Sequence, residues 1–354
     1  MNKYTHIRSG LSIGAVLALA MLLFNAPILA QEGGRCVSGV CTRGSGTAVW
    51  PNGDVYTGDF QDGKPSGKGT FKYSDGRSLT GFFQNGAATG KFQVNYPDGG
   101  IYTGDLADGR KQGKGVLKGY RGVYTGEFVR DEAQGEGKFD FPTGDTYTGE
   151  FRAGAFNGKG VLKFRDGLLY KGDFSQGKMT GKGVLEFPDG RVYEGEMENG
   201  QMQGQGRLKF SDGSIYEGKM KANQMEGEGT LVFANKDKYE GQFVKGKIEG
   251  NGKMEYSSGT IYEGAFQNGV PSGKGSLVGP GGMKYTGDFR AGEMDGQGEI
   301  VYRSGARYIG AIKKGKKEGQ GEWTLSDGRV LKGEFKDDRF VDPAAADKPK
   351  TEKK

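Results

Sequence analysis

A 23-residue period runs through almost the whole chain after residue 43. The stretch YKGDFSQGKMTGKGVLEFPDGRV, residues 170–192, returns from residue 193 as YEGEMENGQMQGQGRLKFSDGSI, and it is preceded by YTGEFRAGAFNGKGVLKFRDGLL. All steps are 23 residues except one of 22, at residues 102–123. A fixed period of this length predicts a repeat architecture in which each unit packs on its neighbours. Counting the opening residue as position 1, repeats begin at Tyr56, Leu79, Tyr102, Tyr124, Tyr147, Tyr170, Tyr193, Tyr216, Tyr239, Tyr262, Tyr285, Tyr308 and Leu331.

Within one repeat, apolar and polar residues alternate as they do in a strand with one buried face. Tyr170, Gly172 and Phe174 share one side of a first segment, and alternation resumes over residues 181–187. The turn residues Pro-Asp-Gly follow at 188–190. We therefore predict an all-β fold, an elongated, single-layer antiparallel β-meander of about thirteen 23-residue β-hairpin repeats, twisted or curved.

The 69 glycines occupy fixed places in the period rather than scattered ones. At position 8 the residues that replace glycine are Asp131, Asn223 and Asp338, which predicts a left-handed backbone there, since Asn and Asp tolerate it best. Positions 3, 12 and 14 fall on the aromatic face, with Phe92 the one exception at position 14. We expect aromatic rings to lie against the bare backbone of these glycines.

Four segments organise the chain. Residues 1–30 combine a basic start, an apolar run and a final Ala30, and these features predict a secretory signal peptide; an uncleaved membrane anchor is the alternative. Residues 31–43 form an N-terminal cap. The array occupies residues 44–340 and opens on a half-repeat that places Trp50 where other repeats have Phe or Tyr. Residues 341–354 are rich in Pro, Ala and charge, which predicts a disordered tail.

Export bears on the two cysteines, Cys36 and Cys41. In an oxidising compartment a pair this close is predicted to form a disulfide, and two free thiols are the alternative. A metal site would need more ligands than this pair supplies, and the single histidine, His6, lies in the signal segment. We expect no metal or cofactor.

Charge and motifs argue against several classes of function. The 50 basic and 44 acidic residues are well mixed, whereas nucleic-acid binding would need a concentrated basic stripe. The stretches at 63–70 and 269–276 imitate a phosphate-binding loop, but have the wrong spacing and are ordinary repeat positions. Carboxylates such as Asp59 and Glu150 recur at position 4, which favours a solvated polar face over acid–base catalysis. No catalytic residues are predicted.

The tyrosines at position 1 are the candidates for binding a partner. They are expected to form a row flanked by phenylalanines, and self-packing across neighbouring strands is the alternative. A sheet without a second layer leaves an apolar face that a partner or a second copy of the chain could cover. The candidate residues are Tyr102, Tyr124, Tyr147, Tyr170, Tyr193, Tyr216, Tyr239 and Tyr262.

The pattern Y-x-G-[DE]-[FM] followed by G-x-G-x-φ-x-[FY]-x-D-G, where φ is an apolar residue, closely resembles the MORN (membrane occupation and recognition nexus) repeat. The match covers residues 44–340, and the N-terminal signal makes the chain similar to bacterial members. The resemblance implies an antiparallel β-sheet array that acts as a scaffold or dimerisation module, in some members at phospholipid membranes. Catalytic domains that accompany such repeats elsewhere have no counterpart in this sequence.

Three functional hypotheses follow. The first is a non-enzymatic scaffold, periplasmic or in the cell envelope, that binds a protein or itself through the aromatic face. The second is attachment to anionic phospholipid through recurring lysines at positions 13 and 17. The third is binding of glycan or cell wall by stacking on the tyrosine row. The lysines are exemplified by Lys68, Lys72, Lys159, Lys163 and Lys182.

Overall fold

The computed structural model describes residues 33–341, which contain 28 β-strands and no helix. The predicted signal peptide and most of the predicted tail, residues 342–354, lie outside the described residues. Within the described range there is accordingly no helix of the length and apolarity needed to cross a membrane.

The described residues divide into two units. The first unit comprises residues 33–189 and 196–200, the second residues 190–195 and 201–341, and strand β15 (Val192–Glu198) has residues in both. The other strands of the first unit are β1 (Arg35–Gly39), β2 (Arg43–Val49), β3 (Val55–Gln61), β4 (Lys64–Lys72), β5 (Ser78–Gln84), β6 (Ala87–Asn95), β7 (Ile101–Ala107), β8 (Arg110–Gly119), β9 (Gly122–Val129), β10 (Glu132–Asp140), β11 (Thr146–Arg152), β12 (Ala155–Lys163), β13 (Leu169–Ser175) and β14 (Lys178–Glu186). Those of the second unit are β16 (Gln201–Lys209), β17 (Ile215–Lys221), β18 (Gln224–Val232), β19 (Lys238–Val244), β20 (Lys247–Glu255), β21 (Ile261–Gln267), β22 (Val270–Val278), β23 (Lys284–Arg290), β24 (Glu293–Val301), β25 (Arg307–Lys313), β26 (Lys316–Thr324), β27 (Val330–Lys336) and β28 (Arg339–Phe340).

Within each unit, every strand pairs antiparallel with the next strand in the chain, so the predicted all-β antiparallel meander is confirmed. The register places position 3 opposite position 14 on both sides of a strand. Gly172 of β13, for example, lies opposite Gly160 of β12 and Gly183 of β14. A stripe of glycine backbone therefore crosses each unit at right angles to its strands.

The hairpin turn at positions 7 and 8 has a left-handed backbone at both residues. Asp131, Asn223 and Asp338 have φ values of 77°, 68° and 68°, which confirms the backbone reason predicted for position 8. Position 7 also has φ between 48° and 51° in all thirteen repeats, although its residues include Ala153 and Lys245. Two consecutive left-handed residues make a type I′ turn, which matches the twist of the flanking strands.

The glycine at position 12 has a different role from the one expected. The pairing of β11 with β12 shifts register between Gly149 and Phe151, where one residue of β11 faces three of β12. Gly158 lies in this bulge with φ of 58°, and the position-12 glycines as a group have φ between 57° and 133°. Glycine is needed here because the bulge requires a positive φ, rather than to receive a ring.

The glycines at positions 3 and 14 do receive rings, as predicted. A Cβ atom added to Gly183 would lie 2.4 Å from Cε2 of Tyr170, and one added to Gly172 would lie 2.4 Å from Oη of the same tyrosine. We call this side of the sheet, with positions 1, 5, 10 and 16, the ring face. The opposite side, with positions 2, 4, 13 and 15, is the outer face.

Side chains also close the two ends of the array on the ring face. At the start, Trp50 covers Gly34, whose added Cβ would lie 2.8 Å from the indole Cε2. At the end, a Cβ atom added to Gly333 would lie 3.2 Å from Cε2 of Phe340. Each terminal glycine thus receives a ring although the regular tyrosine is missing there.

Candidate interaction surfaces

The eight candidate tyrosines, Tyr102, Tyr124, Tyr147, Tyr170, Tyr193, Tyr216, Tyr239 and Tyr262, all have 0% of their surface exposed. The hydroxyl of Tyr170 donates a hydrogen bond of 3.0 Å to the backbone carbonyl of Asp173, and the same bond to position 4 recurs in other repeats. Burial raises the pKa of Tyr216 and Tyr239 to about 12. These rings offer no surface to a partner in this structure.

Neighbouring rings bury the tyrosines. Tyr147 makes edge-to-face contacts with Phe151 of its own repeat, at 5.2 Å between centroids, and with Phe174 of the next repeat, at 5.0 Å. Phe156 stacks on it at 3.7 Å. The tyrosine row is therefore self-packed, which was the alternative left open by the sequence. Each aromatic pair contributes roughly 0.5–1.5 kcal/mol of stability beyond that of its buried area.

Cys36 and Cys41 form a disulfide, with their Cα atoms 5.8 Å apart. Cys36 lies in β1 and Cys41 in the turn that leads to β2, so the bond closes the first hairpin. The cap thus adds a covalent link at the exposed first strand.

The position-4 carboxylates accept hydrogen bonds from the backbone of the bulge. The amide N–H of Lys159 donates to Glu150 at 2.9 Å, and that of Lys68 donates to Asp59 at 3.2 Å. Lys68 belongs to the stretch at 63–70 that imitates a phosphate-binding loop, so this amide already has an anionic partner. Both the carboxylates and the loop serve the fold.

Several lysines at position 13 are paired with acids of the next repeat. Lys159 lies 2.5 Å from Asp173, and Lys274 lies 2.7 Å from Asp288. Hydrogen bonds from these lysines lower the pKa of both aspartates. Lys68, Lys72, Lys163 and Lys182 are exposed, but the pairing removes part of the positive charge that attachment to anionic lipid would use.

Two lysines are buried on the ring face, which the sequence reasoning missed. Lys111 and Lys317, both at position 10, are 8% and 5% exposed. The ammonium of Lys111 lies 3.2 Å from the hydroxyl of Tyr96 and 3.5 Å from a carboxylate oxygen of Asp131. Residues 33–341 contain no group of three or more His, Cys, Asp or Glu placed to hold a metal ion.

A second row of rings remains partly exposed. Position 18 follows the second strand of each repeat and lies beside the buried position 16, as shown by Phe141 and Phe139, whose centroids are 4.7 Å apart. The sequence pattern contains this row as the [FY] before D-G, but its exposure depends on neighbouring turns that the pattern does not describe. We call it the edge-ring row; its partly exposed members are Tyr73, Tyr96, Phe141, Phe164, Phe187, Phe233, Tyr256 and Tyr302.

Similarity to solved structures is limited. The TCP10 domain of Danio rerio CPAP in complex with a peptide of Danio rerio STIL is 13% identical, with 69% of this chain and 94% of that chain covered and a TM-score of 0.25. Virginiamycin B lyase from Staphylococcus aureus is 12% identical, with 86% and 99% covered and a TM-score of 0.13. These scores are too low to carry an argument. Among curated proteins, none matches.

The MORN repeat family model matches twelve segments, which together cover well over half of the chain. It passes over residues 79–101, the repeat that lacks both the opening tyrosine and the glycine at position 14. The matched segments are 42–55, 56–76, 102–122, 124–146, 147–168, 170–190, 193–215, 216–238, 239–261, 262–284, 285–307 and 308–328. The chain belongs to the MORN repeat family.

Proposed function

We propose that this protein is an exported, non-enzymatic scaffold that binds a protein partner along its edge-ring row. The observation that carries the proposal is the partial exposure of that row beside rings that are wholly buried. Nine of the twelve repeats that reach position 18 have a ring there, and within each unit consecutive repeats place it two strands apart, or ~9.6 Å. Aromatic side chains that are anchored in a packed core and open on one side are enriched in protein interfaces.

The residues that could have performed chemistry are engaged elsewhere, which supports a role without catalysis. The position-4 carboxylates bind bulge amides, and the position-1 hydroxyls bind backbone carbonyls. Repeat arrays of this family generally serve as scaffolds, and the regular spacing suits an extended contact with a partner better than a single reaction centre.

Export is supported by the signal-like residues 1–30 and by the disulfide between Cys36 and Cys41. Cell fractionation and N-terminal sequencing of the native protein test it. We expect an envelope or periplasmic protein that begins at Gln31. A cytoplasmic protein that retains residues 1–30 would contradict the proposal.

The partner-binding surface is tested by a matched pair of substitutions on the full chain. Phe164→Ser removes a ring from the edge-ring row, whereas Val161→Ser changes a residue of the neighbouring strand β12 on the outer face that is 39% exposed. Crosslinking in the native envelope and light scattering of the purified protein measure partner capture and self-association. We expect F164S to lose the crosslinked partner and V161S to keep it. Equal capture by both variants would refute the row as the binding surface.

Flotation with liposomes separates this proposal from attachment to anionic phospholipid. Binding at low salt that weakens at high salt would indicate surface electrostatics. For a protein-binding scaffold we expect no flotation with vesicles of anionic phospholipid at either salt concentration.

A further inference from the structure

An open groove runs along the outer face of the first unit. Its volume is about 700 Å³, and its floor is the backbone of Gly104, Gly115 and Gly126. These glycines face one another in register across β7, β8 and β9. A Cβ atom added to Gly115 would point at the ring of Tyr102, 2.4 Å away, so no side chain rises from the floor towards the outer face.

The walls of the groove are rich in hydrogen-bonding groups, and their charges cancel. One wall consists of short or uncharged side chains, namely Thr80, Gln93, Thr103, Val116 and Thr125. The other contains two ammonium and two carboxylate groups, from Lys91, Lys114, Glu127 and Glu136. A strongly charged ligand gains little from such a lining, whereas a neutral ligand with many hydroxyl groups can pair with both walls.

A groove with the same glycine floor recurs in the second unit, which argues that the floor is a property of the repeat positions. A groove of about 720 Å³ has Gly275, Gly287 and Gly298 as its floor and the short side chains Ser276 and Thr286 on one wall. The same wall also contains Glu263 and the exposed apolar side chain of Ile309, and Lys274 stands on the opposite wall. Elsewhere in that unit the same wall positions hold Arg207 and Glu217, which form a 2.9 Å ion pair across neighbouring strands.

An exposed ring distinguishes the groove of the first unit. Phe82 occupies position 4, where most repeats have an acid, and 60% of its surface is exposed. It lies two residues after Thr80 on the same face of β5, and Thr80 lines the groove. A flat apolar ring next to a row of polar groups is a platform on which the CH face of a sugar can stack.

We propose that the groove of the first unit, with Phe82 at one end, binds a neutral linear glycan of β-1,4-linked sugars that lies across the strands. Threonines 80, 103 and 125 present one hydroxyl per repeat, every ~9.6 Å, which is close to the advance of one disaccharide in an extended β-1,4 chain. The sugar faces lie on the glycine floor, and their hydroxyl groups pair with the walls. An extended peptide would need apolar pockets for its side chains, and on the walls only Val116 presents an exposed apolar side chain.

The site is on the face opposite the edge-ring row, so it stands independently of the proposed protein partner. Isothermal titration of the full chain with the hexamer and the trimer of N-acetylglucosamine tests it directly. We expect the hexamer to bind more tightly than the trimer by about tenfold or more, because it spans more repeats.

Two substitutions locate the binding. Phe82→Asp restores the residue type common at position 4, and we expect it to weaken hexamer binding about tenfold while the unfolding midpoint stays within error. Thr148→Arg changes the same wall row just outside the groove and is expected to leave binding unchanged. The inference is overturned if the hexamer does not bind, if F82D and T148R weaken binding equally, or if an unstructured peptide of similar length displaces the hexamer and binds more tightly.

Discussion

The repeat that begins at Leu79 gives the sharpest test of ring-on-glycine packing. It lacks both the tyrosine at position 1 and the glycine at position 14, where it has Phe92. The ring of Phe92 lies over Gly81, whose added Cβ would be 2.5 Å from its Cδ1 atom, and Leu79 and Phe92 are only 2% and 3% exposed. The second strand thus supplies the ring that the first strand supplies in other repeats.

The two single substitutions should therefore destabilise the protein, and the double substitution should not. Phe92→Gly removes a buried ring and is expected to cost ~3–5 kcal/mol. Leu79→Tyr forces a second ring into an occupied site and is expected to cost ~1–3 kcal/mol. Together they recreate the arrangement of Tyr56 on Gly69, so we expect the double variant to lie within ~1 kcal/mol of the original protein.

Guanidinium unfolding of the four proteins, followed by circular dichroism, measures this coupling. Because a repeat array can unfold in parts, amide exchange of β5 and β6 provides the local free energy of opening. We expect the double variant to be more stable than the sum of the single effects by at least ~2–3 kcal/mol. Additive effects would show that Phe92 does not replace the tyrosine ring.

Three further predictions follow from the backbone and the buried rings. Lys236 has φ of 73° at position 21, where other repeats have glycine, so K236G should stabilise the protein by ~0.5–1 kcal/mol and the reverse change G213K should destabilise it, both measured by unfolding midpoints. Gly183→Ala should cost ~1–3 kcal/mol because its Cβ meets Tyr170, whereas Gly119→Ala, with nothing within 4 Å, should be nearly neutral by the same assay. Burial raises the pKa of Tyr216, Tyr239 and Tyr262 from 10.0 to about 12, so the folded state holds the phenolic proton more tightly. That contribution to stability is complete below pH 10 and is lost as the pH rises to about 12. We expect cooperative alkaline unfolding at the pH where the absorbance of tyrosinate rises. In denaturant, the tyrosines of the unfolded chain should instead titrate without a cooperative transition.

The fold and the turn chemistry could be predicted because they follow from local rules. Alternation with period two places Tyr170, Gly172 and Phe174 on one face, and Asp131 in place of glycine indicates a left-handed turn residue. The bulge could not be predicted in this way. It adds two residues to β12 between Phe156 and Gly160, and an even number leaves the alternation of faces undisturbed.

The burial of the tyrosine row was one of two outcomes that the sequence pattern left open. The pattern shows that position 1 lies on the apolar face of a sheet without a second layer, which allows either a bound partner or self-packing across neighbouring strands. Whether a ring is exposed depends on how far its neighbours reach over it. For Tyr147, two edge-to-face phenylalanines and the stacked Phe156 close that surface, and their contacts cross between repeats.

Each of the two buried lysines at position 10 faces an aspartate at position 8 of the next repeat, distant in sequence and adjacent in space. The backbone N–H of Lys111 donates a 2.8 Å hydrogen bond to the carboxylate of Asp131, and the backbone N–H of Asp131 donates a 3.0 Å bond to the carbonyl of Lys111. Their side chains also form an ion pair. At the same position in another repeat, Met202 has no charge, and the position-8 residue that faces it is the neutral Asn223. The two residues make the same pair of hydrogen bonds, with lengths of 2.8 and 3.1 Å. The choice between Asp and Asn at position 8 therefore follows the side chain at position 10 of the preceding repeat. Since a buried lysine left without its acid is costly, replacing Asp131 by Gly should destabilise the protein more than replacing Asn223 by Gly, although glycine is the usual residue at both places.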